Sequence, residues 1–357
     1  MKDSTPHQNA ASARSACSGP RDGTGKLPVG VREKIRNHPC YSEDAHHHFA
    51  RMHVPVAPAC NIQCNYCNRK YDCSNESRPG VVSRVLKPEQ AVRKVAAVSQ
   101  RIPELAVVGI AGPGDPLANA RRTLHTCELL RESFPELRLC LSTNGLALPE
   151  YVDQLCSLGV EHVTVTINAI DPAVGARIHP WVFYEHRRYT AEQGAEILLN
   201  QQLMGIEQLA AKDVLVKVNS VLIPGINDDH LPAVSSAVRQ RGAFLHNVMP
   251  LISEPEHGTA FGLSGQPAPS TAELQAVQAK CAGDMPQMRH CRQCRADAVG
   301  FLGAEQSANL TAEQLPEEGA AEDPYSNPPA DIYTLLARQQ SRRQAFAEAD
   351  AEIEDEG

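Results

Sequence analysis

The sequence predicts an α/β protein built as a partial (β/α)6 barrel, and three observations carry that expectation. Six short segments rich in Val, Ile and Leu recur at intervals suited to parallel strands: 52–58, 105–111, 137–142, 162–168, 214–221 and 243–249. Segments with helical periodicity lie between them, at 88–102, 119–134, 149–158, 189–210 and 228–241. Glycines and small polar residues follow several of the strands directly, where parallel sheets build their ligand sites.

Taken in order, residues 1–28 are rich in Ser, Ala, Gly and Pro and are expected to be disordered. The core is expected over 29–303, followed by an Ala-, Glu- and Pro-rich linker at 304–329 and a C-terminal part at 330–357. That last part combines a helix at 330–347, with Ile332, Leu335 and Leu336 as an apolar stripe, and an acidic run from Glu348 to Glu356. The 357 residues are 42% hydrophobic but only 4% aromatic, which suffices for one core. A net charge of −8 argues against non-specific nucleic-acid binding. No apolar run approaches the roughly 18 residues of a membrane span, and the N-terminus has no signal-like apolar stretch, so a cytoplasmic protein without membrane contact is expected. In that reducing compartment the 12 cysteines favour metal or redox chemistry over disulfides.

The first strand leads into Cys60-Asn-Ile-Gln-Cys64-Asn-Tyr-Cys67. Three thiols spaced C-x3-C-x2-C on one short loop can each take one iron of a 4Fe–4S cubane, leaving a fourth iron open to a small molecule. A structural zinc site wants four ligands and fits less well. At the later strand ends stand Gly112, Gly114 and Asp115, then Ser142, Thr143 and Asn144, then Asn168, then Asn219 and Ser220. The glycines let backbone approach a ligand, and the polar groups suit an amino group, a carboxylate or a ribose. An ordinary βα turn is the plainer reading of the Gly112–Asp115 stretch.

A second constellation comprises Cys40, Cys73, Cys140 and the C-x2-C pair Cys291 and Cys294. The pair alone also suits half a zinc site, but beside one cluster further iron–sulfur ligation is the better reading. His46, His47 and His48 are consecutive and cannot share one face, so at most one or two can ligate the same metal. A polar surface turn is their other reading. Cys17, Cys127, Cys156 and Cys281 have no ligand-like neighbours in sequence and read as ordinary thiols.

The Cys60–Cys67 loop resembles the signature of radical S-adenosylmethionine (SAM) enzymes, in which the open iron binds SAM and an aromatic residue, here Tyr66, lies near the adenine. Longer stretches, among them HPCYSEDAHHHFARMHVPVAPACNIQCNYCNRKYDC, GIAGPGDPLAN, VNSVLIPGIND and RHCRQCRADAVG, closely resemble the NifB family of nitrogenase cofactor maturases over about residues 35–303. That resemblance implies a partial radical SAM barrel that fuses two 4Fe–4S units around a SAM-derived carbide, with an added sulfur, into an eight-iron cofactor precursor. Cys60, Cys64 and Cys67 would hold the SAM-cleaving cluster, with Cys40, Cys73, Cys140, Cys291, Cys294 and one histidine, His46 favoured, serving two substrate clusters. Glu43, Glu76 and the histidine run are candidates for removing protons. The implied partners are SAM, iron–sulfur donor proteins, an electron donor such as ferredoxin or flavodoxin, and separate NifX- and NifEN-like carriers. The carriers are expected to be separate because the acidic C-terminal stretch is too short for a NifX-type domain. A radical SAM enzyme acting on a peptide or small molecule, and a non-catalytic iron–sulfur scaffold, are the competing readings.

Overall fold

The computed structural model describes residues 29–74, 80–283 and 285–305. The expectations for residues 1–28, Cys17, Glu76 and the stretch after Glu305, including the helix at 330–347, lie outside the described residues. The chain opens with helix α1 (Val29–Ile35) and the single-turn α2 (Ala45–His48), then strand β1 (Ala50–His53) and, within the cysteine loop, β2 (Ile62–Gln63). Helices and strands then alternate: α3 (Pro88–Arg101), β3 (Leu105–Ile110), α4 (Ala120–Ser133), β4 (Arg138–Thr143), α5 (Leu148–Ser157) and β5 (Val160–Thr166). After these come α6 (Pro172–Ile178), β6 (Trp181–Tyr184), β7 (Arg187–Thr190), the long α7 (Ala191–Ala211), β8 (Leu215–Leu222), α8 (Leu231–Gln240) and β9 (Leu245–Pro250). The described part closes with α9 (Ala260–Leu263), α10 (Thr271–Cys281), β10 (Val299–Phe301) and β11 (Ala304–Glu305).

The main sheet runs β11-β10-β1-β3-β4-β5-β8-β9. β1, β3, β4, β5, β8 and β9 are mutually parallel, while β10 is antiparallel to both β1 and β11. This is the partial barrel that the six apolar segments predict, extended at one edge by a C-terminal hairpin. Every residue of β3 and of β8 is buried, as parallel strands covered on both faces require. The main core joins Val108, Leu139, Val163 and Val218 from the strands to Val95, Leu130, Leu155 and Ile206 from the helices. Among the described residues no helix is long and apolar enough to cross a membrane.

Several boundaries differ from the periodicity. β1 stops at His53 rather than running to residue 58, because Pro55 and Pro58 have no N–H to give a ladder. The sheet continues past residue 303, where Ala304 pairs with Phe301. The β6–β7 hairpin forms a small sheet with β2, and its turn residues Glu185 and His186 both have positive φ, 45° and 61°. Such a turn ordinarily announces itself through Asn-Gly or Asp-Gly, and Glu-His gives no such signal. α10 begins with a capping box: the Ser270 hydroxyl accepts from Glu273 N–H at 3.2 Å and the Glu273 carboxylate accepts from Ser270 N–H at 2.7 Å.

Burial holds several histidines neutral. His162 is pushed down to about 3 by burial and then by Arg138, and burial pushes His179 and His246 to about 4. Each binds a proton more readily when unfolded, near 6.5, so its contribution is intact above 6.5 and is lost as pH falls toward the folded value. Urea unfolding of the metal-free protein is therefore expected to show a loss of roughly 2 kcal/mol per such histidine between about pH 7 and pH 5. A midpoint independent of pH across that window would contradict the buried neutral assignment.

Candidate functional site

Two thiol-lined cavities open near the carboxyl ends of the parallel strands. The first is lined by Cys60, Cys64 and Cys67, with Arg69, Cys73 and Asn144 among the surrounding groups. The second is lined by Cys40, Cys140, Cys291 and Cys294, with His53 and Lys217. Ala111, just after β3, and Ser142, near the end of β4, line both cavities and form their common wall.

The first cavity is held by its own backbone. Gly114 N–H donates to the Ala57 carbonyl at 2.5 Å, and Asp115 N–H donates to the Ala59 carbonyl at 2.6 Å. A Cβ on Gly114 would lie 2.0 Å from the Ala59 oxygen, so only glycine permits the approach. The glycine therefore admits the chain leading into Cys60, and it also lines the cavity. The Asp115 carboxylate accepts from Asn144 N–H at 2.5 Å, from Leu117 N–H at 2.9 Å and from the Thr143 hydroxyl at 3.0 Å. Burial pushes its pKa up against these hydrogen bonds. With so many donors engaged, Asp115 ties the loops after β3 and β4 together. The Asn144 amide donates to the Asn61 side chain at 2.7 Å and lies 3.8 Å from the Cys60 sulfur.

Burial, and then the Asp115 charge, push the Cys60 thiol up to about 12. Cys64 is raised by burial and next by Cys67 and Cys60. Three thiols gathered on one loop suit a cationic metal centre, which displaces their protons on binding. Arg69 reinforces the loop by donating to the Pro58 carbonyl at 2.8 Å. Burial works to lower its pKa, but Cys60, Cys67 and Cys73 outweigh it and raise the value. The donor set fits the iron–sulfur cluster that the spacing predicts.

Several predicted contacts face elsewhere. The buried Tyr66 hydroxyl accepts from the Asn168 amide at 2.8 Å, and Tyr66 packs in the apolar cluster behind the loop. The Asn168 side-chain oxygen accepts from Val221 N–H at 2.8 Å. The Asn219 side-chain oxygen accepts from Asn247 at 3.0 Å, while the Ser220 hydroxyl donates to the Ile167 carbonyl and meets His246 Nε2 at 2.9 Å. None of these four lines either cavity. They lock strand ends together, because a polar group buried between strands must find a partner there. Gly112 has a φ of 151°, and a Cβ there would touch the Ala296 side chain at 3.4 Å.

The second cavity gathers Cys40, Cys140, Cys291 and Cys294 from widely separated parts of the chain. Cys73 instead joins the first cavity. His46 does not line either one: its Nδ1 bonds the Glu43 carbonyl and its ring stacks on His290 at 5.2 Å. His53, at the carboxyl end of β1, takes the place inside. Its Nδ1–H donates to the Arg295 carbonyl at 3.0 Å. Burial, followed by the charge of Arg51, pushes its pKa down to about 4, so the ring is neutral and Nε2 carries a lone pair. Gly109 leaves space for the ring, since a Cβ would come within 2.9 Å of His53 Cδ2. The available signal was position: a histidine ending the strand that feeds the cysteine loop. Glu43 is exposed, and Cys127 and Cys281 are buried in the main core.

A sequence profile described as the radical SAM superfamily matches residues 54–236. The chain is 60% identical over 319 residues to the FeMo cofactor biosynthesis protein NifB of Bradyrhizobium diazoefficiens, covering 88% of this chain and 64% of that protein. The NifB of Azotobacter vinelandii is 59% identical over 87% of this chain and 61% of its own length. That of Klebsiella pneumoniae is 57% identical over 89% of this chain and 68% of its own. The chain thus spans less than two thirds of the first two of these relatives. Among solved structures, the radical SAM methyltransferase TsrM from Kitasatospora setae, with cobalamin and a 4Fe–4S cluster bound, matches at 15% identity and a TM-score of 0.42. That match covers 61% of this chain and 37% of TsrM.

Replacing Gly114 with Ala is expected to push the loop after β3 away from Ala59 and lower stability by roughly 2 kcal/mol or more. SAM affinity after anaerobic reconstitution should fall at least tenfold. An alanine variant with unchanged unfolding and unchanged SAM binding would show that the contact is dispensable.

Proposed function

Because this chain belongs to the NifB family of the radical SAM superfamily, we propose that it builds an eight-iron nitrogenase cofactor precursor from two 4Fe–4S units, a SAM-derived carbide and a sulfur. The observation that carries this reading is the pair of thiol-lined cavities sharing Ala111 and Ser142 as a wall. When bound at the first cavity, a 4Fe–4S cluster and SAM supply reductive cleavage of SAM and the carbon to be inserted.

The chain's own residues do the rest. Cys60, Cys64 and Cys67 hold the SAM-cleaving cluster, and Asn144 and Arg69 fix the loop that carries them. The loops after β3 and β4, tied through Asp115, set the walls against which SAM is oriented. Cys40, Cys140, Cys291 and Cys294 seat the substrate iron–sulfur units, and His53 offers Nε2 as a nitrogen ligand in the position earlier expected of His46. Cys73 lines the first cavity and offers a further thiolate there. Lys217 and Arg292 line the second cavity and offset the negative charge of thiolate-ligated iron–sulfur units. Sharing Ala111 and Ser142 would set SAM beside the substrate units, so that the carbon it supplies has a short way to go. Iron–sulfur donor proteins, a ferredoxin- or flavodoxin-like reductant and NifX- or NifEN-like carriers are the partners this activity calls for.

Changing Cys291 and Cys294 together to Ala tests the division of labour. Wild type is expected to hold about twelve irons in three clusters, and the double variant about a third fewer. It should still form 5′-deoxyadenosine from SAM, since the first cavity is untouched, but make no precursor that activates cofactor-deficient nitrogenase. Transferable precursor from the double variant would overturn the assignment of the second cavity.

A further inference from the structure

We propose that Arg51 is a positioning residue for the iron–sulfur unit seated at Cys294, donating a permanent charged hydrogen bond to that ligand's sulfur. The inference rests on reading the second cavity as a cluster seat, and it adds a residue outside the cysteine and histidine set. Arg51 lies in β1 and is fully buried. β1 pairs with β3 on one side and β10 on the other, where Arg51 stands opposite Gly300. Its side chain reaches toward the C-terminal segment. Nη1 donates to the Gly300 carbonyl at 2.6 Å and the Phe301 carbonyl at 3.4 Å, and Nη2 donates to the Cys294 sulfur at 2.9 Å.

A guanidinium stays protonated at any accessible pH, so its bond to sulfur survives when Cys294 becomes a thiolate on metal ligation. The buried guanidinium interacts more favourably with the Cys294 sulfur once that sulfur is anionic. Among the described residues no carboxylate lines the second cavity, so cations supply its charge balance. An N–H donated to a ligating sulfur draws electron density from the cluster, raises its reduction potential and slows loss of the ligand. The same side chain clasps β10 to β1. The segment carrying Cys291 and Cys294 is thereby registered against the strand that leads to His53 and the Cys60 loop.

The test uses the full chain with Cys60, Cys64 and Cys67 changed to Ala, so that remaining iron and its EPR signal report the second cavity alone. Arg51→Met is expected to shift the midpoint potential of that signal to more negative values and to raise the rate of iron loss to a chelator about tenfold. Arg51→Lys, which keeps the charge with a poorer donor geometry, should fall between. Should Arg51→Met fail to fold, Arg51→Lys alone carries the measurement, with circular dichroism as the folding check. Folded variants with wild-type potential and chelation rate would make Arg51 a plain strand clasp and overturn the proposal. Cys294→Ala separates the two layers: an unaltered signal there would remove Cys294 as a ligand and sink the underlying reading. A signal changed by Cys294→Ala but not by either Arg51 variant refutes the positioning role only.

Discussion

Two short backbone hydrogen bonds hold the arrangement on which the rest of the site depends: Gly114 N–H to Ala57 and Asp115 N–H to Ala59. The chain between β1 and Cys60 contains Pro55 and Pro58, so it cannot be fastened by an ordinary strand ladder. The loop after β3 does the fastening instead. The close approach demands glycine at 114, and the next residue's buried carboxylate extends the clasp to Thr143 and Asn144. Hydrogen bonds to a charged acceptor contribute roughly 1.5–3 kcal/mol each, so this one carboxylate fixes the ends of β3 and β4 relative to each other, while the Asp115 N–H adds the chain after β1. The cysteine loop inherits its position from that frame.

From this frame follows the adjacency of the two cavities. β3 and β4 are neighbours in the sheet, and Ala111 and Ser142 at their carboxyl ends face both cavities. The first cavity draws its thiols from one loop. The second draws them from the segment after α1, from β4 and from the chain before β10. Adding β10 and β11 at the β1 edge brings the C-terminal cysteines back beside the start of the sheet, and Arg51 spans that junction. The C-terminal hairpin thus completes the second cavity as well as covering an edge.

Much of the fold was legible because its periods are strong. The helix over 88–102 and the strand over 105–111 appear within a residue of where periodicity puts them. The β6–β7 hairpin was not, since Glu185 and His186 adopt positive φ without the glycine or asparagine that ordinarily marks it. In the candidate site, proximity to the strand ends singled out residues that line the first cavity, Asp115, Thr143 and Asn144 among them, but not their contacts. Asp115 reads as a free carboxylate in sequence and is saturated by its own loops in three dimensions. Asn219 and Ser220 read as strand-end residues, but β8 runs on to Leu222 and they pair with β9 residues instead of facing a cavity. His46 drew attention through its run of histidines, while His53 is the ring that lines the second cavity.

What depends on spacing along the chain is written in the sequence: the strand–helix alternation, and a loop short enough to keep Cys60, Cys64 and Cys67 near one another. Tertiary structure alone decided what depends on contacts between distant segments. Which cysteines share the second cavity, which histidine joins them, and that Arg51 meets Cys294 across 243 positions of sequence all arise from strand order and from β10 pairing with β1. The physical reason is that local dihedral preference acts over a few residues, whereas a buried polar group chooses its partner from whatever the packed sheet brings within reach.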